Sequence, residues 1–262
     1  MQKVNYEPIA SHYHQRYASG SRLSCIATAL HEIVRRIRAQ DVLEAGCGTG
    51  RWLAELRPAA RNVIGLDLSR GMLAQAQNLH NLNALVCGRA TQLPFPLAAF
   101  DLIFCINALH HFGQPDAFIA QARQLLRPGG ALAIANMDPH CGTDRWYLYD
   151  YFEGTRAADL RRFPPSGALL DWLAKAGFDP VEWKVIERIK GEFAGRAVLA
   201  DHFLQKHGTS QLALLSDEVY AAGRQAIESA IARAEANGQT ISFMVDVSLV
   251  MITGFLPPDE RQ

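Results

Sequence analysis

Seven consecutive residues, Glu44-Ala45-Gly46-Cys47-Gly48-Thr49-Gly50, place one carboxylate ahead of three glycines at alternate positions. Glycine tolerates positive φ and carries no Cβ, so such a run can turn sharply and let a ligand approach the main chain. The run follows the apolar pair Val42-Leu43 and leads into a helix near Trp52. The free N–H groups and positive dipole end of that helix favour an anionic group. A second acid, Asp67, closes the next apolar run, 21 residues after Gly46. An α/β nucleotide site places a carboxylate there to accept hydrogen bonds from the ribose hydroxyls. A dinucleotide fingerprint would need its third glycine where Arg51 stands, so GxGxG fits and GxGxxG does not. A glycine run alone is an ordinary tight loop; the preceding strand, Glu44 and Asp67 turn it into a binding site.

Three further residues could move protons. His110 and His111 follow the apolar run Asp101–Ile106, and Asp138 follows Ala131–Ala135. Open α/β sheets bind ligands at the carboxyl ends of their strands, so all three are candidate catalytic bases. The competing reading is a structural histidine pair and a loop carboxylate. Tyr13 could add a hydroxyl, although an aromatic lid suits it better. His110, Asp138 and His140 lack a metal-site spacing, and no metal is expected. Trp146, Tyr147, Tyr149, Tyr151 and Phe152 form an aromatic run that either packs on the sheet or lines an apolar pocket.

These groups need a scaffold, and the periodicity supplies one. Five short apolar runs alternate with helical patterns from about Asp41 to Asp138. Their continuous apolar character suits strands covered on both faces, which predicts an α/β, doubly wound, mostly parallel sheet. Ser69 is a plausible N-cap for a helix carrying Met72, Leu73, Ala76 and Leu79. A helix through Phe118, Ile119, Ala122, Leu125 and Leu126 should stop at Arg127-Pro128-Gly129-Gly130. Leu23–Arg38 reads as an N-terminal helix, and Ser166 as the cap of a helix ended by Gly177. Val181–Ile189 and Thr240–Phe255 read as sixth and seventh strands, with a helical segment over 191–238 between them. One domain over 1–262 is expected: a helical lid over 1–40, a cofactor core over 41–138, and helical insertions over 139–165 and 191–239 facing a second ligand.

Lys plus Arg and Asp plus Glu are each 26, so the net charge is zero and nothing pulls the chain toward nucleic acid or an anionic membrane. Met1–Tyr17 has no apolar core of the signal-peptide kind, and Ile241–Leu256, the most apolar stretch, reads as a strand. Five cysteines without CxxC pairs suit reduced thiols in the cytoplasm. No nucleic-acid or membrane partner is expected, and oligomeric state is left open.

Glu44-x-Gly-x-Gly-x-Gly50, Gly65-Leu66-Asp67-Leu68-Ser69, Leu93-Pro94-Phe95, Leu109-His110-His111-Phe112 and Leu126-Arg127-Pro128-Gly129-Gly130 occur in that order. This series resembles class I S-adenosylmethionine-dependent methyltransferases, nearest to the group of ubiquinone/menaquinone-biosynthesis and small-molecule enzymes, over roughly Tyr6 to Phe178. The resemblance implies a Rossmann-like, seven-stranded sheet with helical insertions forming a lid. It implies S-adenosyl-L-methionine as cofactor, S-adenosyl-L-homocysteine as product and a small-molecule acceptor.

It also implies roles. Gly46 and Gly48, with Cys47 between them, would line the methionine part, and Glu44 would lie near its amino group. Asp67 would hold the ribose, Leu68 would lie against the adenine, and Ala90 would offer backbone contact to the adenine edge. Asn107 would lie beside the methionine part. Tyr13 and Tyr17, near the Ile9-Ala10-Ser11-His12-Tyr13 segment, would help to close the site. One departure stands out: the family often has Gly-Asp-Ala where this chain has Gly88-Arg89-Ala90, and arginine cannot accept the adenine amino hydrogen bond. Two alternatives accompany this reading: a non-catalytic cofactor-binding module, and a methyltransferase acting on a macromolecule.

Overall fold

The computed structural model describes residues 4–10, 13 and 24–259. Five parallel strands form the centre: β1 (Asp41–Ala45), β2 (Asn62–Asp67), β3 (Leu85–Cys87), β4 (Phe100–Ile106) and β5 (Leu126–Met137). Three more complete an eight-stranded sheet: β6 (Arg145–Trp146), β7 (Val181–Ala194) and β8 (Ser242–Phe255). The order is β3-β2-β1-β4-β5-β8-β6, with β7 also paired to β8, and β8 runs antiparallel to all its partners. The order reverses between β1 and β4, so a crevice opens beyond their carboxyl ends, where β1 leaves into the glycine turn.

Alternation along the strands sorts the core onto two faces. Val42, Leu102, Phe104, Ala131 and Ala133 pack with helix α1 (Ser24–Ile37) and helix α2 (Arg51–Leu56). Leu43, Ala45, Ile103, Cys105 and Leu132 pack on the other face with helix α4 (Pro115–Leu125) and helix α7 (Ser166–Lys175). Helix α3 (Arg70–His80) follows β2, with Ser69 Oγ accepting from Met72 N at 3.1 Å as expected of its cap. Arg127 Nη1 clamps the opposite end of the sheet, at 2.8 Å from Asp41 and 2.7 Å from Asp101.

A third cluster, away from the sheet centre, joins Trp146, Tyr147, Leu148 and Phe152 to Ile227, Ile231, Phe243 and Val247. It is built from α5 (Tyr147–Tyr151), α8 (Ser210–Ala213), α9 (Asp217–Ala236), β6 and β8, and α6 (Thr155–Arg162) lies beside α5 and α8. Gly223 lets α9 close on α5, because a Cβ there would lie 2.3 Å from the Phe152 ring.

Several boundaries differ from the sequence reading. Residues 191–194 continue β7, because β8 extends far enough to pair with them, and 3₁₀ turns at Gly195–Ala200 and His202–Leu204 follow before α8. Leu126 leaves the helical pattern to pair with Phe100 as the first residue of β5. Ser166 is the first residue of α7 rather than its cap, and Asp138 Oδ2 accepts from its N–H at 3.0 Å. The eighth strand is the two-residue β6, too short to leave a periodic trace. Among the described residues no helix is long and apolar enough to cross a membrane.

Candidate functional site: two cavities sharing a wall

Gly46, Gly48 and Gly50 have φ of +74°, +53° and +75°, which strains any residue with a Cβ. At Gly46 a Cβ would also stand 2.5 Å from that of Ala108. The N–H groups of Gly46 and Cys47 both donate to Leu66 O, at 2.7 and 3.0 Å, tying the turn to β2. Asp67 holds it from the other side: Oδ2 accepts from Gly48 N at 2.8 Å and Oδ1 from Ser69 N at 2.9 Å. Burial pushes the Asp67 carboxyl above its usual value, and the N–H donors of Ser69, Gly48 and Leu68 oppose that rise.

Glu44 is 1% exposed, and its Oε2 has no partner among the described residues. Burial, and secondarily the negative charge of Asp67, hold its carboxyl well above the usual range. The Cys47 thiol is raised by burial as well, which leaves it protonated and a packing group.

Above this turn lies a cavity of about 310 Å³. Glu44, Gly46, Cys47, Gly48, Asp67, Leu68, Ala90, Asn107 and Tyr13 all line it; Tyr17 lies outside the described residues. Asn107 is positioned by a left-handed backbone, φ +50°, and by its N–H donating to Ala135 O at 2.8 Å. Arg89 is exposed at the rim and makes no ion pair among the described residues.

The N-terminal segment contributes to the wall through residues that the sequence does not single out. Residues 4–7 line the cavity, and Glu7 Oε2 accepts from Gly71 N at 3.0 Å, at the start of α3. The adjacent Tyr6 hydroxyl lies 2.8 Å from His111 Nε2. No motif marks Tyr6 or Glu7; an acid facing a helix N-terminus from 64 residues away is visible only in the fold.

A second cavity, about 150 Å³, lies between the sheet and the third cluster. Tyr6, Tyr13, Asn107 and His111 line both cavities, so they form a wall common to the two. His110 belongs to the second cavity alone; it is 5% exposed and stacks on Phe163 at 4.0 Å. Burial, followed by the charges of His111 and Arg162, drives its pKa well below the ordinary value, so it is neutral near pH 7.

Asp138 lines neither cavity. Its oxygens accept from His140 N and Ser166 N, both at 3.0 Å, so the carboxylate joins two helix starts. His140 Nε2 lies 2.9 Å from Phe163 O. The aromatic run divides: Trp146 lines the second cavity and meets Tyr149 edge-on at 5.6 Å, while Tyr147 and Phe152 are buried in the third cluster. Among the described residues no three His, Cys, Asp or Glu side chains are placed to hold a metal.

A doubly wound sheet with a glycine turn, an acid at the end of β2 and a cavity at the switch point is the arrangement in which open α/β proteins hold nucleotide-type ligands. The family described as "Methyltransferase domain" matches residues 43–134. A malonyl-[acyl-carrier protein] O-methyltransferase of Erwinia billingiae is 32% identical over 178 residues, covering 64% of this chain and 68% of that one. A tRNA U34 carboxymethyltransferase of Pseudoalteromonas translucida is 30% identical over 158 residues, 58% of this chain and 48% of that one. The chain spans about half the length of several curated relatives it matches. Among solved structures, phosphoethanolamine N-methyltransferase 2 of Haemonchus contortus, in complex with S-adenosyl-L-methionine, shares the fold with a TM-score of 0.58 at 18% identity, over 96% of this chain and 57% of that one. The chain belongs to the class I S-adenosylmethionine-dependent methyltransferases.

The residues present fit that cofactor. A buried carboxylate oxygen without a partner is what an ammonium group satisfies, and Glu44 Oε2 is such an oxygen. A Cβ at Gly48 would meet nothing within 4 Å, so the main chain there borders open space.

Proposed function

We propose that this protein transfers a methyl group from S-adenosyl-L-methionine to a small-molecule acceptor held in the second cavity. The carrying observation is the wall common to the two cavities, Tyr6, Tyr13, Asn107 and His111, which lets ligands in each approach one another. Glu44 would receive the amino group of the cofactor, Asp67 its ribose, and Gly46, Cys47, Gly48 and Asn107 its methionine part. Leu68 and Ala90 would border the adenine, with Tyr13 and Tyr17 closing the site.

When bound, the cofactor supplies a methyl already activated on a sulfonium. What remains for the chain is alignment and exclusion of water. The N-terminal segment and the regions 139–165 and 191–239 would provide both, as lid and acceptor side. Of the candidate bases, His111 is the one on the wall common to the two cavities. Its hydrogen bond with Tyr6 could hold the ring for an acceptor that must lose a proton. His110, buried and neutral, suits a wall, and Asp138 a structural cap. A reducing, cytoplasmic setting belongs to the same proposal, in keeping with five free thiols.

Titration calorimetry with S-adenosylhomocysteine, followed by mass spectrometry of a diverse acceptor panel, tests it. No binding at high micromolar concentration would end the proposal. Binding without any product would favour a non-catalytic module. A salt-dependent shift of RNA in a gel would redirect it to the kind of acceptor named for the tRNA-modifying relative.

A further inference from the structure

The walls of the second cavity constrain what it can hold. This inference rests on that cavity being the acceptor site. Its surface is mainly aromatic and aliphatic, with Trp146, Phe163, Phe193, Phe203, Val247 and Leu249 contributing. Its volume, about 150 Å³, equals that of an engineered apolar cavity of about 150 Å³ that takes up benzene.

Asp201 and Gln211, a buried carboxylate and a buried amide of this wall, are already engaged within the protein. Asp201 accepts from the Tyr147 hydroxyl at 2.7 Å and from Phe203 N at 3.1 Å. Gln211 donates through Nε2 to the fully buried Asp159 at 2.7 Å, and its Oε1 accepts from Ser210 Oγ at 3.3 Å. Asp159 also takes the Tyr149 hydroxyl at 2.8 Å and Arg162 Nη2 at 2.5 Å. Arg162 itself does not line the cavity; it lies behind Ser210, bonded to its Oγ at 3.3 Å. A charged ligand end would therefore lose its hydration in a mainly apolar space where Asp201 already accepts from two donors and Arg162 is set behind Ser210.

Two buried nitrogens of this wall lack a partner among the described residues, His110 Nδ1 and Trp146 Nε1, and the second is a donor whatever the tautomer of the first. Trp146 is 8% exposed, and its Nε1–H has no partner among the described residues. A buried donor of that kind calls for an acceptor atom.

We propose that the acceptor molecule is uncharged at its buried end, that this end is about the size of one aromatic ring, and that it carries an oxygen which accepts a hydrogen bond from Trp146 Nε1.

Four single-ring probes separate the possibilities: acetophenone (ring plus accepting oxygen), toluene (ring alone), benzoate (anion) and benzylammonium (cation). Each is titrated into the full-length protein saturated with S-adenosylhomocysteine, with the indole N–H signals followed by ¹H–¹⁵N NMR. Acetophenone should bind about three- to tenfold tighter than toluene, the range that one net hydrogen bond supplies. Benzoate and benzylammonium should bind more weakly than toluene. The Trp146→Phe variant should lose one indole signal, the one that acetophenone moves most, and should bind acetophenone and toluene alike.

Tighter benzoate binding would overturn the proposal in favour of a carboxylate reaching Arg162. Tighter benzylammonium binding would overturn it in favour of an amine facing Asp201 and the rings. Equal binding of acetophenone and toluene would remove the hydrogen bond, and no binding of any probe would remove the ring-sized site. The affinity order of the wild-type protein decides these outcomes even if the variant does not fold. Failure of S-adenosylhomocysteine to bind in the same samples would strike the proposed activity instead, since it is scored separately.

Discussion

Glu44→Gln removes a charge while keeping shape, and its consequences run in opposite directions for stability and for binding. Glu44 sits on β1, 1% exposed, with Oε2 unpartnered among the described residues and Asp67 as its charged neighbour. Burial first, and Asp67 second, raise its pKa well above the ordinary carboxyl value. The folded protein thus keeps this proton over a pH range in which the unfolded chain has lost it. The resulting stability is complete below the ordinary carboxyl pKa and disappears as pH rises through the folded value. Within that window the wild type should lose about 1.4 kcal/mol per pH unit relative to Glu44→Gln. The variant should therefore have the higher Tm on the alkaline side and a similar one at mildly acidic pH. An ammonium group arriving at Oε2 favours the ionised carboxylate, so cofactor binding should expel the proton. Affinity should then climb about tenfold per pH unit between the bound and free pKa values, with about one proton released. The variant should lack this slope. At the alkaline end it should bind on the order of ten- to 150-fold more weakly, the equivalent of one hydrogen bond to a charged group at about 1.5–3 kcal/mol. Calorimetry with S-adenosylhomocysteine in phosphate, HEPES and Tris at matched pH counts the protons, from enthalpy against buffer ionisation enthalpy. No proton release by the wild type at any pH, with unchanged affinity in the variant, would refute the role of Glu44 and the reasoning from its burial.

Three further perturbations follow from the same geometry. Gly46→Ala sets a Cβ 2.5 Å from that of Ala108 at φ +74°; backbone strain and overpacking together should cost about 2–5 kcal/mol in denaturant unfolding, and an unchanged midpoint would mean that the turn is not held as described. Gly71→Ala sets a Cβ 2.7 Å from Glu7 Oε2 and 3.1 Å from the Ala10 Cβ. It should displace residues 4–10 while helping helix α3 by about 0.5–1 kcal/mol, so the signature is weaker cofactor binding and faster proteolysis of the N-terminal segment without a fall in Tm. Tyr6→Phe removes the 2.8 Å contact to His111. Acceptor kcat/KM should fall about two- to tenfold for a net hydrogen bond of about 0.5–1.5 kcal/mol, and unaltered steady-state kinetics would show that this contact is not used in turnover.

The contrast between the two cavities explains what the sequence could disclose. The first is built largely from short segments with their own local signals, namely the turn after β1, the acid ending β2 and the stretches after β3 and β4, with residues 4–7 as the unmarked exception. A positive φ favours glycine at 46, 48 and 50, and a parallel strand buried on both faces favours an unbroken apolar run. All the cofactor-site residues named from the sequence that lie within the described part line that cavity.

The second is assembled from partners far apart in the chain. Tyr147 meets Asp201, Tyr149 meets Asp159 ten residues on, and Gln211 reaches back 52 residues to the same carboxylate. No periodicity reports such pairings, because each residue is polar or aromatic for a partner that only the fold supplies. The partners of Asp138 were hidden for the same reason. A carboxylate at the end of a central strand has the address of a catalytic base, yet α7 starts beside it with an uncapped N–H at Ser166, and the orphan donor took the oxygen. Sequence position tells where along a strand a group lies. Which competitor claims its lone pairs depends on the elements that return to it, and here that element starts 28 residues later.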